Sequence, residues 1–322
     1  MKKIILIFSF CVGLLPFSLF AATDLTMLVS PEIPAPHSQV TLTLQSYIID
    51  VNTSSVVWTV NGKTVLSGEG EKSLKITTEA VGTLVSVKAR VTTPSGDIFE
   101  TSITLSPQSI DLLWEAVEGY TPPFYQGKAL LAEGSSVRIT ALPNIHEGGR
   151  ILSPESLSYA WYVNDQFVEN ASGMKKQSLT TPLDVLQENL RIKVRVTTKN
   201  GTLTEKQITI RPRTVLPVLY PHDPTLGTDL SHAFSGRIET VRDLVLSLEP
   251  FYLSRKNGLE SSSEYSWLLN GLPVTPEEKT ILALRPKENS YGVQKLFITM
   301  ENTRRKLQKA DISAEIIFDT RR

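Results

Sequence analysis

Val56-Val57-Trp58-Thr59-Val60-Asn61-Gly62-Lys63 is written three times in this chain. It returns as Tyr159-Ala160-Trp161-Tyr162-Val163-Asn164-Asp165-Gln166 and as Tyr265-Ser266-Trp267-Leu268-Leu269-Asn270-Gly271-Leu272. The tryptophans stand 103 and 106 positions apart. In each copy the residues two before the tryptophan, the tryptophan itself and two after it are large and apolar or aromatic, the period of a strand with one buried face. Asn-Gly, Asn-Asp and Asn-Gly follow at once. Asn, Asp and Gly reach positive φ at low cost, so each pair suits the two-residue turn of a β-hairpin.

Working outward, the spacing of roughly 105 residues matches one β-sandwich domain of about 100 residues. The 322-residue chain then divides into a signal segment, 1–22, and three sandwich domains at 23–107, 108–212 and 213–322. The fold class expected is all-β. Trp58, Trp161 and Trp267 are assigned to the three cores. Other stretches repeat at an offset of 105: Arg90-Val91-Thr92-Thr93 returns as Arg195-Val196-Thr197-Thr198, and Ile103-Thr104-Leu105 as Ile208-Thr209-Ile210. Alternating runs at 25–30, 40–44, 64–67, 73–77, 84–93 and 98–105, with the tryptophan strand, supply about seven strands for the first domain. In the third domain strands are expected at 241–248, 265–269, 280–284, 293–300 and 312–318. Residues 304–308 are read as a turn, and the basic run Arg304-Arg305-Lys306 as solvated. The junctions carry proline rather than Gly/Ser linkers, which predicts a semi-rigid array.

The start, Met1-Lys2-Lys3 followed by the apolar run 4–20 and Ala21-Ala22, has the three parts of a secretory signal peptide. An uncleaved membrane anchor is the alternative, since 19 apolar residues nearly span a bilayer of about 20 residues. Cys11, the single cysteine, sits inside this run, so the exported chain has no disulfide and no thiolate chemistry. Lys+Arg and Asp+Glu are both 33. Loss of Lys2 and Lys3 leaves 31 basic against 33 acidic residues, without the positive footprint of a nucleic-acid binder.

The Trp-x-Val-Asn-Gly strand inside a unit of this length resembles the bacterial Ig-like and polycystic-kidney-disease-type (PKD) repeats. Those are sandwich modules strung along secreted and surface proteins. The chain departs from the PKD pattern after the turn, where Lys63, Gln166 or Leu272 stands in place of a Gly-Asp-Gly continuation. The stretch Asp111-Leu112-Leu113-Trp114-Glu115-Ala116 with Tyr120-Thr121-Pro122-Pro123-Phe124-Tyr125 is also similar to a group of exported proteins of candidate-phylum bacteria. The resemblance implies spacing, presentation or binding rather than catalysis.

The residues point the same way. The four histidines, His37, His146, His222 and His232, form no His-Glu-x-x-His pair, and no Gly-x-Ser-x-Gly elbow or phosphate loop occurs. Two long connections stand out, 117–134 and 221–238, because loops beyond about 12–15 residues are uncommon without a role. The first carries Tyr120, Phe124 and Tyr125, residue types that suit a cap on the core or packing on a neighbouring domain, a protein-binding edge or a sugar-stacking platform. The second carries His222, Asp223, Asp229 and His232, types that can hold Zn²⁺ but are also ordinary solvated loop residues. No metal and no cofactor are expected, with a loop-built metal-dependent hydrolase as the remote alternative. In an Ig-like sandwich the loop after the first strand lies at the pole nearest the next domain. The first connection is therefore expected to pack on domain 3, and the second to form a contact surface at a free tip. The function expected is a non-enzymatic exported component of the cell envelope or surface. Its partner would be an envelope or surface protein or a glycan; a polysaccharide-binding or pilus-associated accessory module is the alternative.

Overall fold

The computed structural model describes residues 25–183, 188–255, 263–288, 291–305 and 307–321. The expected signal segment, Cys11 and Lys306 lie outside them. Every extended element is a strand; three short 3-10 turns, such as Val51–Thr53, provide the only helical geometry among the described residues. The chain forms two compact units, 1–107 and 108–322.

The first unit is a three-on-four sandwich. Thr26–Ser30, Gln39–Gln45 and Ser73–Thr77 form one sheet, and Lys63–Glu69, Ser55–Val60, Val85–Thr92 and Ile98–Leu105 the other. All pairings are antiparallel. Alternation decides the faces: Val85, Val87, Ala89 and Val91 are buried, while their neighbours point outward. Trp58, with no exposed surface, lies among Val40, Leu42, Leu74 and Val87 between the sheets.

The second unit repeats this plan twice. In the second domain Ser178–Pro182, Ser136–Asn144 and Ser109–Ala116 face the sheet Gln166–Phe167, Ser158–Val163, Leu190–Thr197 and Leu203–Ile210 around Trp161. The third domain is an elaborated copy around Trp267. One of its sheets runs Gly227–Thr228, Leu216–Asp223, Leu244–Phe251, Ile281–Leu284. The other runs Arg237–Thr240, Lys309–Asp319, Tyr291–Asn302, Ser263–Leu269, Leu272–Pro273.

The repeated motif has one physical reason in all three copies. Both turn residues are left-handed: φ is 47° and 79° at Asn61 and Gly62, 49° and 66° at Asn164 and Asp165, 51° and 81° at Asn270 and Gly271. That is the type I′ geometry whose twist matches a hairpin. Each asparagine also clips the next strand. Its Oδ1 accepts the backbone N–H of Ser86 (2.9 Å), Arg191 (2.9 Å) or Lys295 (2.8 Å), and its own N–H donates to that residue's carbonyl. Each indole N–H donates to a carbonyl beyond the hairpin: Glu71 at 2.7 Å, Lys176 at 2.8 Å and Lys279 at 3.2 Å. A buried indole without such a partner would leave a donor unsatisfied, so the side chain both fills the core and closes a loop.

The third domain departs from the expected pattern in three places. The strand expected at 241–248 is Leu244–Phe251, displaced because Thr240 Oγ1 and Arg242 form a local turn. At the end of the stretch read as a long loop and just beyond it, Arg237–Thr240 adds a parallel edge strand against Lys309–Asp319. Its one buried apolar residue, Ile238, is too little for a period to be seen. His222 and Asp223 close the strand Leu216–Asp223 and pair with Thr228 and Gly227, so they stand on a hairpin rather than in a loop.

Candidate functional site

The connection at 117–134 is pinned along its length. Val117 N–H donates to Ser136 O, Arg213 N–H to Leu131 O, and Leu131 is fully buried in the second core. Lys128 Nζ lies 3.2 Å from the centre of the Trp114 ring, a cation–π contact, and burial lowers its pKa. Residues 118–120 then form a short antiparallel ladder with the third domain. Arg255 N–H donates to Glu118 O (2.9 Å), Tyr120 N–H to Leu253 O (3.0 Å) and Tyr252 N–H to Tyr120 O (2.7 Å). Beside it lies an apolar cluster with Leu130 and Ala132 from one domain and Val215, Phe251, Leu253 and Met300 from the other.

A buried polar knot completes the junction. Gln308, 1% exposed, directs its amide nitrogen at Glu133 O (3.0 Å), Ser135 Oγ (2.8 Å) and Ser254 Oγ (2.8 Å). Its Oε1 accepts from Ser254 N–H (2.9 Å) and Asn302 Nδ2 (3.2 Å). Arg305 bonds the Glu118 carboxylate and the Gly134 carbonyl. Arg304 and Arg305 lie in a turn as expected, but the Arg305 side chain is only partly exposed: it belongs to the junction. Nothing in its local sequence marks it. The signal available was length, since the turns Pro94-Ser95-Gly96-Asp97 and Lys199-Asn200-Gly201 in the corresponding place of the other two domains are shorter.

The three aromatic residues of this connection have separate fates. Tyr120 is half-buried, donates to Glu249 Oε2 at 2.6 Å and carries the Arg255 guanidinium 3.4 Å above its ring. Burial first, then that carboxylate, push its phenol far above the ordinary value. Tyr125 stands edge-on to Phe251 with ring centres 5.3 Å apart, and its hydroxyl meets that of Tyr252 at 3.3 Å. Burial and that contact push Tyr252 up to about 12. Phe124 is 98% exposed. Together Pro122, Pro123, Phe124, Tyr125 and Gln126 form one wall of a cleft of about 320 Å³ whose other wall is Tyr220, Thr228, Leu230 and Phe251.

That opposite wall corrects the expectation for the second connection. Thr228 and Leu230 do not stand at a free tip; they border the same cleft as Pro122 and Phe124. The four polar residues of the connection are engaged close to home. His222 Nδ1 bonds Thr228 Oγ1 at 3.0 Å. Asp223 Oδ1 caps its own turn through the N–H groups of Thr225 and Leu226, which lower its pKa. Ser231 and His232 hold Asp229 down to about 2, with His232 Nδ1 at 2.9 Å. Among the described residues no three His, Cys, Asp or Glu side chains are placed to hold a metal ion. A larger depression of about 800 Å³, lined by residues of 163–170 with Thr181 and Pro182, carries one aromatic ring, Phe167, which leans on Tyr162.

No protein-family model matches the chain, and no curated protein matches it. Solved structures to which it is similar include the central fibronectin-III array of RIM-binding protein, at 13% identity, 91% of this chain, 95% of that one and a TM-score of 0.30. The fibronectin(III)-like modules of Clostridium thermocellum CbhA match at 13% identity over 58% of this chain and 94% of theirs, with a TM-score of 0.28. SGBP-B of the Bacteroides ovatus mixed-linkage glucan utilization locus, solved with a mixed-linkage heptasaccharide, matches at 13% identity over 92% and 70%, with a TM-score of 0.22.

Proposed function

We propose that this chain is an exported, non-enzymatic Ig-like repeat protein that serves as a structural and adhesive component of the cell envelope or surface. Its kinship with PKD-type repeats and the removal of residues 1–22 as a signal peptide belong to the same proposal. In this role the second and third domains act as one stiff unit that presents a binding cleft. The observation that carries the reading is the junction. A backbone ladder, an apolar cluster and the Gln308 knot hold two sandwiches together, while the polar residues of the long connections are spent on local caps and pairs. Side chains committed in this way position a surface. Cell fractionation of the parent organism, followed by capture of envelope components on the purified mature chain, tests the proposal. The expected result is recovery in the envelope or medium and saturable retention of an envelope protein or glycan. Recovery in the cytoplasm, or turnover of an envelope polymer by the purified chain, would overturn it.

A further inference from the structure

We propose that the cleft between residues 122–126 and the wall of Tyr220, Thr228, Leu230 and Phe251 is a binding site for a short neutral saccharide segment. The inference rests on the envelope-binding reading above and names the ligand chemistry of that site. A pyranose ring has a face of C–H groups and a rim of hydroxyls, so its site needs an exposed aromatic face beside neutral donors and acceptors. The cleft has both. Its exposed rings are those of Phe124 and Tyr125, set beside the buried Tyr220 and Phe251, and its polar lining residues are Gln126, Thr228 and the tyrosines. No charged side chain lines it. The nearby Glu249 carboxylate is already held by Tyr120, and the Arg255 guanidinium covers the Tyr120 ring. An anionic ligand would find no cation there. An added peptide strand would find the adjacent backbone already paired in the ladder of residues 118–120. The volume, about 320 Å³, lies at the small end of the range for ligand sites, roughly 300–1,000 Å³, which suits a chain end or a short segment.

Two independent observations show that the rings are placed rather than left over. Tyr125 N–H donates to Pro122 O at 3.3 Å, which closes a turn with Pro123 at its second position and Phe124, φ 62°, at its third. A turn of that type takes glycine there, because a bulky residue at positive φ is strained. Phe124 accepts the strain while its side chain lies almost wholly in solvent, so core packing does not explain it. The Tyr125 ring in turn lies across Gly127: a Cβ on Gly127 would stand 2.5 Å from the ring's Cζ and hydroxyl. Glycine is required there to let the ring reach Phe251.

The test uses the mature chain on an array of neutral and acidic oligosaccharides, with cellohexaose and maltohexaose among the neutral members, trigalacturonic acid among the acidic, and decaproline as a peptide probe. Neutral oligosaccharides are expected to bind. Phe124→Gly and Gly127→Ala are each expected to weaken that binding at least tenfold. Phe124→Gly should also leave the thermal midpoint unchanged or raised, a result that a purely structural role for the ring would not give. Binding of acidic sugars or decaproline alone, no neutral hit, or neutral hits that survive both substitutions would each overturn the site. If envelope capture persists in Phe124→Gly, the surface role stands and only the cleft assignment falls.

Discussion

Gln308→Ala should open the junction between the second and third domains without unfolding either. The side chain makes five polar contacts within 3.2 Å while 1% exposed. Its removal does not orphan all of its partners. The hydroxyls of Ser135 and Ser254 already meet at 2.7 Å, and Asn302 Nδ2 keeps Ser254 O at 3.1 Å. The Ser254 N–H and the Glu133 carbonyl are left. A polar group stranded without a partner costs about 1–3 kcal/mol, so two give about 2–6 kcal/mol, and the alanine cannot restore either bond. The assay is amide hydrogen exchange on the full mature chain. The reporters are Ser254, Tyr120 and Tyr252, whose N–H groups donate to Gln308 Oε1, Leu253 O and Tyr120 O. At about 1.4 kcal/mol per factor of ten, their exchange should rise roughly 30-fold to 20,000-fold, while amides of the strand Leu190–Thr197 in the second core stay protected. Acceleration at Ser254 alone, with Tyr120 and Tyr252 within about threefold of the native chain, would refute the claim that this knot holds the junction closed.

Three further outcomes are expected. Trp161→Ala should cost about 3–5 kcal/mol in denaturant unfolding, by cavity formation and by loss of the donor to Lys176 O; Trp161→Phe should recover part of the packing and none of the hydrogen bond. Asn164→Ala should cost about 1–2 kcal/mol, because alanine lacks the Oδ1 that accepts from Arg191 and is strained at φ 49°, and Asn164→Gly should cost less than Asn164→Ala. Alkaline pH should weaken the junction in a defined window: the Tyr252 pKa is raised, so its contribution is complete below the ordinary value near 10 and is lost as pH rises through about 12. Phenolate absorbance for this residue should appear near pH 12, and exchange at the Tyr120 amide should rise with it. A Tyr252 phenolate formed at pH 10 would remove the argument.

What could be read from the residues was whatever the chain repeats. The tryptophan strand, the left-handed asparagine pair and the buried alternation Val85-Val87-Ala89-Val91 each follow from local rules, because period, turn chemistry and hairpin register act over fewer than ten residues. The third domain was less legible where pairing is distant. Arg237–Thr240 joins Lys309–Asp319 in parallel across 78 positions, and four residues with one apolar side chain give no period to detect. The zinc-binding types at His222, Asp223, Asp229 and His232 were visible, but their geometry was not. Whether four such residues converge depends on hairpin pairing at 222–228, which spends them on turn caps and a local pair instead.

The junction could not be read for a related reason: it is built from what the copies do not share. A repeat specifies a fold by keeping its core and its turns, so any surface joining one copy to the next must be written in the departures. The lengthened turn that carries Arg305 and Gln308, the connection that carries Tyr120 to Gln126, and the run Pro250-Phe251-Tyr252-Leu253 are all such departures, and they meet. Two of them supply rings to the cleft and the third supplies the amide that fixes the distance between its walls. If the departures were neutral drift, they would have no reason to close a single interface. Their convergence is the physical ground on which the proposal places the binding surface at the junction rather than on any one sandwich.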